Sequence, residues 1–427
     1  MSNKVCILTT GHPALDDRIF YKEAQSLHNA GFQVTLIAPL NSDGYLTDMG
    51  RKPIARGETV VDGIRIIGFE LGRYKIFGLP MTGLLNQWMR LGSVGRLRLG
   101  SELYSDIIDK GIQLDADIYH CHEVWSLYTG ILIKRELEKR GKNPKLISDV
   151  HEYWSAARPS DTEPERTVWS RIIARFEKNS LEEVDYVITA NHITRGHLLS
   201  ANRFIKTEVL DNCPVLSIFQ ESEPRAVDGV ITICHDGALP FNRGLKEMLE
   251  VIKILKERYE GKIRFLVVGD VFGEERTYFD QKVKEYRIED VVNRTGWLPY
   301  EKVGDALSDC SIGIIFMELT ENNMLAGPPN KLFNYMRYGL PTVTVDLPET
   351  RRIVLESQCG IVVKDRNVDS LVDVLSRLVD DADLRTELGK NAQAAAYKQY
   401  NWSIMEKRLL RVYNELLSET QYVLQVD

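Results

Sequence analysis

The sequence has no run of apolar residues long enough for a membrane span, which needs roughly 18 of them. Its six cysteines lie far apart and form no C-x-x-C pair. That pattern is typical of reduced thiols and argues against a disulfide framework or a cysteine zinc site. The first apolar stretch, after residue 4, is shorter than the core of a signal peptide. We therefore expect a cytoplasmic protein.

An excess of positive charge is also absent. Lysine and arginine total 54 against 61 acidic residues, for a formal net charge of -7. This balance argues against a general nucleic-acid binder, so we expect no nucleic-acid partner. Short-period repeats and low-complexity tracts are absent as well. With 44% hydrophobic and 27% charged residues, the 427-residue chain has the composition of a globular protein and the length of two domains.

Short strand-like runs alternate with helical patterns along both halves of the chain. The first half has such runs at residues 5–8, 34–37, 64–67, 118–120, 146–150 and 186–189, and an amphipathic helix is predicted over residues 16–30. The second half has them at residues 230–233, 265–269, 312–316 and 342–345. This order predicts an α/β fold of two doubly wound, Rossmann-like domains facing across a cleft. We place the domains at residues 1–215 and 230–400, with a polar linker at residues 216–229.

Residues 327–341 say most about function. Two prolines keep the chain out of helix before Asn330, and apolar residues at helical spacing follow as far as Gly339. A helix is therefore predicted to begin at the end of a tight loop, with Lys331 beside its free amides. Free N–H groups and the helix dipole make such an end a site for phosphate. An ordinary loop–helix–strand joint would show the same pattern.

A second strand-to-helix turn runs from His235 to Gly244. Gly237 allows the backbone to approach a ligand, and Arg243 can pair with an oxyanion. The turn lacks the G-x-G-x-x-G pattern, so a dinucleotide site has weak support. A further strand of this half ends in Gly269. Two such turns at strand ends of one sheet, each with a cation, predict a pocket for a diphosphate.

Histidines gather at strand ends in the first half. His12, His122 and His151 lie at or just beyond three strands, and Glu123 and Glu152 follow two of them. A lone histidine there is more often structural, but three on one sheet edge indicate a site. Neighbouring side chains on an extended chain point apart, and no H-E-x-x-H is present, so a metal site has little support.

Two other patterns are ambiguous. The D-x-D sequences at residues 115–117 and 381–383 look like a metal-holding motif of some sugar transferases, but we interpret them as solvated loop acids. Residues 73–101 contain five basic residues and no acid, interleaved with apolar side chains. Such a segment is typical of a membrane-surface contact or a lipid-acceptor groove. The alternative is an inter-strand helix with a solvated basic face.

These residues resemble the family 4 retaining glycosyltransferases of the GT-B fold over nearly the whole chain. The most specific match is residues 329–336, P-N-K-L-F-N-Y-M, which resemble the family's P-N-K-L-F-E-Y-M. Weaker similarities are His12 with residues 17–18, and residues 117–122, 149–152, 209–212, 237–244 and 401–402. The last of these looks like the start of a C-terminal helix, residues 401–427, that crosses back to the first domain.

The resemblance implies transfer of a sugar from a nucleotide diphosphate sugar to a glycan or lipid-linked acceptor, with retention of the anomeric configuration. It implies a hexosyltransferase-like enzyme of bacterial surface polysaccharide or glycolipid synthesis, at the inner face of the membrane, with no metal and no cofactor. The implied catalytic residues are His151, Arg243 and Lys331. The implied donor-binding residues are Gly237, Gly269, Asn330, Lys331, Leu332 and Asn334, and those for sugar or acceptor are His12, Asp17, His122 and Glu123.

The sequence departs from the family at a Glu-x7-Glu pair, whose positions hold Ala326 and Asn334. In the family the second glutamate holds the donor ribose, and asparagine can hydrogen-bond there but carries no charge. Ala238 also stands where many relatives have arginine. Two alternatives therefore stay open. One is a binding or assembly subunit without turnover, and the other is a different GT-B enzyme such as a sugar-nucleotide epimerase, which would need an acid/base carboxylate set that we do not locate.

Overall fold

The computed structural model describes residues 3–72, 75–76, 79–80, 103–152, 163–216, 229–298 and 300–423. The chain divides into two compact units. The first comprises Met1–Asp211 and Met405–Asp427, and the second comprises Asn212–Ile404. Most of the predicted linker, residues 216–229, lies outside the described residues. The predicted C-terminal helix is α-helical from Trp402 to Val423, and all but its first residues belong to the first unit.

The first unit is built on an eight-stranded sheet in the order β12-β11-β10-β9-β1-β2-β6-β5. All neighbours pair in parallel except the edge strand β5, which is antiparallel to β6. Two small hairpins, β3–β4 and β7–β8, stand apart from it. The strands are β1 (Lys4–Thr9), β2 (Gln33–Pro39), β3 (Tyr45–Thr47), β4 (Pro53–Arg56), β5 (Glu58–Val61), β6 (Ile64–Phe69), β7 (Lys75–Ile76), β8 (Leu79–Pro80), β9 (Ile118–His122), β10 (Lys145–Val150), β11 (Tyr186–Thr189) and β12 (Thr207–Val209).

The helices of the first unit connect these strands and cover the sheet. They are α1 (Gln25–Asn29), α2 (Ser105–Leu114), α3 (Glu123–Lys139), α4 (Glu163–Ser180) and α5 (His192–Ala201). The helix expected over residues 16–30 is shorter and begins differently, because a π-helical turn, Ile19–Ala24, precedes α1. Asp16 starts this turn by accepting hydrogen bonds from the amides of Arg18 and Ile19, at 2.9 and 3.0 Å.

Strand alternation gives the central strands of this sheet two different faces. Cys6 and Leu8 on β1 align with Tyr119 and Cys121 on β9, and all four are buried in one apolar core. α3 lies close against this face, since a Cβ on its Gly130 would stand 2.3 Å from the sulfur of Cys121. Because side chains alternate along a strand, the histidines that flank Cys121 turn to the opposite face.

The second unit is built on a six-stranded, fully parallel sheet in the order β15-β14-β13-β16-β17-β18. Its strands are β13 (Ile231–Asp236), β14 (Ile263–Val268), β15 (Val292–Arg294), β16 (Ile312–Ile315), β17 (Thr342–Val345) and β18 (Gly360–Val363). A 3₁₀ turn, Phe241–Arg243, follows β13. The helices are α6 (Leu245–Arg258), α7 (Gly273–Glu285), α8 (Tyr300–Ser308), α9 (Glu321–Leu325), α10 (Asn330–Arg337), α11 (Pro348–Glu356), α12 (Val368–Asp380), α13 (Ala382–Lys398) and α14 (Trp402–Val423), the last shared with the first unit.

The helix predicted after the double proline is α10, and the core fixes it tightly. Tyr335 is fully buried against β16, where a Cβ on Gly313 would stand 2.4 Å from its ring. Its hydroxyl accepts a hydrogen bond from the amide of Asp236 at the end of β13, at 2.9 Å. On the other side, Gly389 of α13 packs against the carbonyl of Gly339. The position of α10 relative to the end of β13 is therefore set by packing.

The two D-x-D sequences have structural partners. Asp117 accepts a hydrogen bond from the amide of Lys4 at 2.8 Å, and Asp115 pairs with Lys142 at 2.6 Å. Asp381 caps α13 by accepting from the amide of Leu384 at 2.8 Å. Among the helices that the structure describes, none combines the length and the apolar character needed to cross a bilayer. The predicted basic segment, residues 73–101, lies outside the described residues except for β7 and β8.

Candidate functional site

The sheet of the second unit has a topological switch point between β13 and β16. Chain order runs outward from these two central strands in opposite directions. In open parallel sheets, ligands bind beyond the carboxyl ends of the strands at such a point. The turn after β13 and the loop that leads from β16 to α10 both start there. We call this place the switch-point site.

Two glycines shape the turn after β13. Gly237 has φ +90° and donates its amide to the carbonyl of Val268 at 2.8 Å. Gly269 has φ +148°, and a Cβ on it would stand 2.4 Å from the oxygen of Gly237. Only glycine fits both the conformation and the space at Gly269. The predicted glycines Gly237 and Gly269 therefore lie against each other. Their lack of side chains allows close contact between the two backbone segments.

Positive charge at the switch-point site comes first from Arg243. It ends the 3₁₀ turn and is followed by Gly244, whose φ of +87° opens α6. Its side chain is half-buried. Within the described residues, no carboxylate lies at ion-pair distance from its guanidinium. The charge of Arg243 is thus available for an anionic ligand.

The N-terminus of α10 is the second electropositive element. Pro329 precedes the helix, and no side chain caps it. Amides in the first turn of a helix have no intrahelical acceptor, so they can bind an anion. Asn330 is exposed there, and its side-chain oxygen accepts a hydrogen bond from Asn212 at 3.2 Å.

Leu332, one of the predicted donor-binding residues, lies on the buried side of α10. Its side chain is fully buried in the core. Its amide donates to the carbonyl of Pro329 at 2.9 Å. Leu332 therefore has neither an exposed side chain nor a free amide to offer a ligand, and its place in the sequence motif reflects packing of α10.

Lys331 is the buried cation of the switch-point site, with only 7% of its surface exposed. Its Nζ lies 2.9 Å from Nε2 of His235. Burial lowers the pKa of Lys331 to about 7, and the nearby charge of Arg243 adds to that effect while Asp236 opposes it. Burial and the charge of Lys331 also hold the pKa of His235 well below its usual range. An anion bound here would stabilise the protonated form of Lys331.

Asn334 has a carboxylate partner from the neighbouring strand. Its Nδ2 donates to Oδ2 of Asp236 at 2.7 Å. Burial raises the pKa of Asp236, while the hydrogen bond from Asn334 acts the other way. The position that holds glutamate in the resembled family is thus an amide paired with an aspartate. Asp236 and His235 end the strand before Gly237, but the sequence pattern pointed to no role for either residue.

The first unit has its own switch point, between β1 and β9. A buried polar network lies behind it. Arg18 donates from Nε to Glu23 at 2.8 Å and from one terminal nitrogen to both oxygens of Asp149, at 3.1 and 3.0 Å. Its other terminal nitrogen donates to the carbonyl of Leu210 at 3.0 Å. All three charged residues are buried.

The π-helical turn explains how Arg18 and Glu23 meet. Residues five apart are close neighbours in a π-helix, and both ion pairs of this turn have that spacing. Arg18 pairs with Glu23 inside the unit, and Asp17 pairs with Lys22 at 2.6 Å nearer its surface. The predicted sugar or acceptor residue Asp17 is therefore held by a lysine, and its neighbour Arg18 has the interior role.

His120 and His122 complete this network from β9. Both are fully buried, and their rings stack with centroids 4.5 Å apart. Nδ1 of His120 lies 2.9 Å from the hydroxyl of Tyr413, on the C-terminal helix. Nδ1 of His122 lies 3.0 Å from Nε2 of His151.

The three predicted histidines do converge. The rings of His151 and His12 lie 5.3 Å apart, and His151 Nδ1 lies 3.6 Å from Glu123. Burial lowers the pKa of His151 to about 3, with a contribution from the charge of Arg18. His151 is therefore a neutral imidazole at physiological pH.

Glu123 corrects the expectation that its side chain points away from the histidines. It leaves β9 with φ +69°, an uncommon conformation for a residue with a side chain. This turn directs its carboxylate to His151. As a result, His12, Glu123 and His151 bring potential metal-ligand atoms within 4.8 Å of one another. Nothing in the sequence spacing indicated this, because the turn breaks the alternation of the strand.

Comparison with known proteins gives the family context. Residues 219–395 match the model of the family described as glycosyl transferases group 1. The alpha-D-kanosaminyltransferase of Streptomyces kanamyceticus is 21% identical over 43% of this chain and 45% of its own length. The MMP alpha-(1->4)-mannosyltransferase of Mycolicibacterium hassiacum is 21% identical over 71% of this chain and 72% of its own. The chain spans about half the length of most curated relatives it matches.

Solved structures share the fold over nearly the whole chain. Sucrose-phosphate synthase from Thermosynechococcus elongatus superposes with a TM-score of 0.73 at 14% identity, covering 98% of this chain and all of the other. The Anabaena protein HepE, solved with UDP-glucose, gives a TM-score of 0.67 at 12% identity, covering 96% and 99%. Residues 219–395 therefore resemble the glycosyl transferases group 1 family, and the chain has the two-domain α/β fold of GT-B glycosyltransferases.

Proposed function

We propose that the protein is a retaining glycosyltransferase that moves a sugar from a nucleotide diphosphate sugar to a glycan or lipid-linked acceptor. The observation that carries the proposal is the switch-point site. There the uncapped start of α10, the buried Lys331 and the half-buried Arg243 gather around the carboxyl end of β13. This arrangement suits a diphosphate, and it lies inside the residues that match the family model.

The chemistry follows from where charge develops. When the bond between the sugar and the diphosphate breaks, negative charge grows on the leaving phosphate oxygens. Donors placed in advance stabilise that charge without reorganising, and such stabilisation often contributes more to catalysis than any other effect. Arg243, Lys331 and the amides of α10 supply such donors. Because these groups are cationic or dipolar, the proposed diphosphate site needs no metal ion.

Retention needs no carboxylate nucleophile in this proposal. The leaving phosphate takes the proton of the acceptor hydroxyl on the same face of the sugar, and the new bond forms on that face. We assign His151 to orient the transferred sugar, with His12, Asp17 and Glu123 assisting at sugar or acceptor. His122 is buried, so its contribution would pass through its contact with His151.

The acceptor side of the proposal is a lipid-linked or surface glycan, with residues 73–101 at a membrane surface. Its support is the run of basic and apolar residues in that segment. Flotation with anionic and neutral vesicles tests it. Equal recovery from both, unchanged by substitution of Arg90, Arg96 and Arg98, would exclude this role.

The alternative function is a nucleotide-binding subunit without turnover. Ala326 and Asn334, which replace the glutamate pair of the resembled family, favour it. A thermal-shift screen with UDP, GDP and ADP tests what both functions share, since a ligand that binds the folded state raises its stability. We expect one nucleotide to raise the melting temperature of the wild type and of Lys390→Ala, an exposed lysine of the same unit. Lys331→Ala should lose most of that shift. An equal shift in the wild type, Lys390→Ala and Lys331→Ala would show that the nucleotide does not bind at the switch-point site.

A further inference from the structure

We propose that the first unit binds a divalent metal ion, zinc by the chemistry of its donors, between Glu23, His120, His122 and Asp149. We call these four residues the inner cluster. The inner cluster lies in the interior of the first unit, and the proposed metal ion takes no part in the sugar transfer itself.

The donor atoms of the inner cluster have the spacing of a metal site. His120 Nε2 lies 3.4 Å from Asp149 Oδ2, and His122 Nε2 lies 3.4 Å from Glu23 Oε2. His120 Nε2 lies 3.7 Å from the same glutamate oxygen. Tetrahedral zinc with bonds near 2.1 Å separates its ligand atoms by roughly 3.4 Å. All four donors lie within 4.8 Å of one another.

Three of these atoms lack a hydrogen-bond partner among the residues that the structure describes. They are Glu23 Oε2, His120 Nε2 and His122 Nε2, and all three are buried. An unpaired polar atom in a protein interior is costly, and here three such atoms lie within 4.8 Å of one another. The distances between them are too long for good hydrogen bonds and suit coordination of a central ion.

The ligand atoms that would not face the metal ion have hydrogen-bond partners, as in known metal sites. A histidine ligand usually gives its second nitrogen to a hydrogen-bond partner, which fixes the ring. His120 has Tyr413 in that place and His122 has His151, at 2.9 and 3.0 Å. Arg18 holds the remaining oxygen of Glu23 and both oxygens of Asp149.

A bound metal ion and a metal-free cluster differ in how the negative charge of the buried carboxylates is compensated. Without an ion, two buried carboxylates face the single charge of Arg18, and the simplest compensation is a proton on Glu23. With an ion, both carboxylates are ionised and both histidines are neutral ligands. Two imidazoles and two carboxylates form a set that zinc accepts. The competing account predicts a folded protein that contains no metal.

The ion would also fix the proton on His151. A metal on Nε2 of His122 leaves the hydrogen of that ring on Nδ1, where it can be donated to Nε2 of His151. His151 must then carry its own hydrogen on Nδ1, which faces Glu123. The inner cluster would thus set the tautomer of a residue that is partly exposed.

Metal analysis of the tag-free 427-residue chain, expressed with zinc in the medium and dialysed against buffer, tests the proposal. We expect about one zinc ion per chain, as for a buried structural site. His122→Gln and Glu23→Gln should reduce the content to background, whereas His197→Gln, at an exposed helix position, should leave it unchanged. Folded wild-type protein without metal, or equal content in all variants, would overturn the proposal.

X-ray absorption on the zinc-loaded wild type tests the proposal even if the variants fail to fold, because it needs no variant. The inner cluster predicts four nitrogen or oxygen neighbours at about 2.0–2.2 Å, two of them imidazoles. A shell of oxygen atoms alone would indicate surface binding and would contradict the proposal even at one ion per chain.

Discussion

Lys331 Nζ lies 2.9 Å from Nε2 of His235, in the interior of the second unit. Neither residue has a carboxylate within ion-pair distance among the residues that the structure describes. Asp236, the nearest acid in the chain sequence, is hydrogen-bonded to Asn334 instead. A buried cation whose neighbour is a neutral ring is unfavourable by itself and becomes favourable when an anion arrives.

Nucleotide binding should therefore take up a proton. In the free protein the pKa of Lys331 is about 7, and a bound diphosphate raises it. Affinity for the nucleoside diphosphate should fall as pH rises from 7.5 to 9, by at most about tenfold per pH unit. Over this range the phosphates of the nucleotide keep their charge. Titration calorimetry in two buffers with different ionisation heats measures the uptake.

The matched variant for this experiment is Lys331→Met, which keeps the length of the side chain and has no proton to gain. It should bind more weakly and lose the pH dependence. A wild type whose affinity is constant between pH 7.5 and 9 would show that Lys331 is charged before the ligand binds.

The free protein should gain stability from the same substitution. Burial lowers the pKa of Lys331 from 10.5 to about 7, so folding works against its charge. Below pH 7 both folded and unfolded chains hold the proton, and the penalty is complete. Between pH 7 and 10.5 the folded chain releases it, and wild-type stability rises relative to the variant. At pH 6 Lys331→Met should be more stable by roughly 1–4 kcal/mol in urea unfolding. If the difference in unfolding free energy between Lys331→Met and the wild type is no smaller at pH 9 than at pH 6, this explanation is wrong.

Asn334 and Asp236 should behave as one unit in nucleotide binding. Asn334→Glu alone restores the residue of the resembled family but places a second carboxylate beside Asp236, 2.7 Å from the present amide. We expect it to weaken nucleotide binding about tenfold, because two close carboxylates repel. Adding Asp236→Asn to Asn334→Glu exchanges the pair and should recover most of the affinity. The four dissociation constants form a double-mutant cycle, and additive effects would show that the two residues act separately.

Arg18 should be essential to the stability of the first unit. Arg18→Met removes the guanidinium that donates hydrogen bonds to the buried carboxylates of Glu23 and Asp149, and it should cost about 3–5 kcal/mol of unfolding free energy. Arg65→Met is the control, because its pair with Glu58 is half exposed and should change stability by less than about 1 kcal/mol. If both variants lost similarly small amounts of unfolding free energy, the charges of Glu23 and Asp149 would have to be compensated by something other than Arg18.

Much of the fold could be predicted from local sequence. The strands from residue 186 and from residue 342 agree with the structure at both ends, since buried parallel strands are continuous apolar runs. The start of α10 was predicted because the two prolines before Asn330 keep the preceding residues out of helix. The antiparallel strand β5 and the π-helical turn were missed. Both depend on neighbours in the folded chain and leave no periodic signal.

The candidate sites were predicted less completely, for the same reason. Arg18 and Asp149 are 131 residues apart in sequence and meet only through the sheet. Asp17 and Arg18 are adjacent in sequence, but the turn directs their side chains to different partners, Lys22 and Glu23 respectively. The carboxylate of Glu123 lies near the histidines because Glu123 itself has a left-handed backbone conformation, which strand alternation does not predict.

Turnover of the nucleotide sugar tests the central claim most directly. The purified wild-type chain is incubated with UDP-, GDP- and ADP-sugars, and release of the nucleoside diphosphate is followed with Lys331→Ala and Lys390→Ala in parallel. We predict release from one donor by the wild type and by Lys390→Ala, and a rate roughly 10²–10³-fold lower for Lys331→Ala, as for loss of one oxyanion donor. A wild type that binds a nucleotide and releases none from any donor, or a Lys331→Ala variant as fast as the wild type, would contradict it.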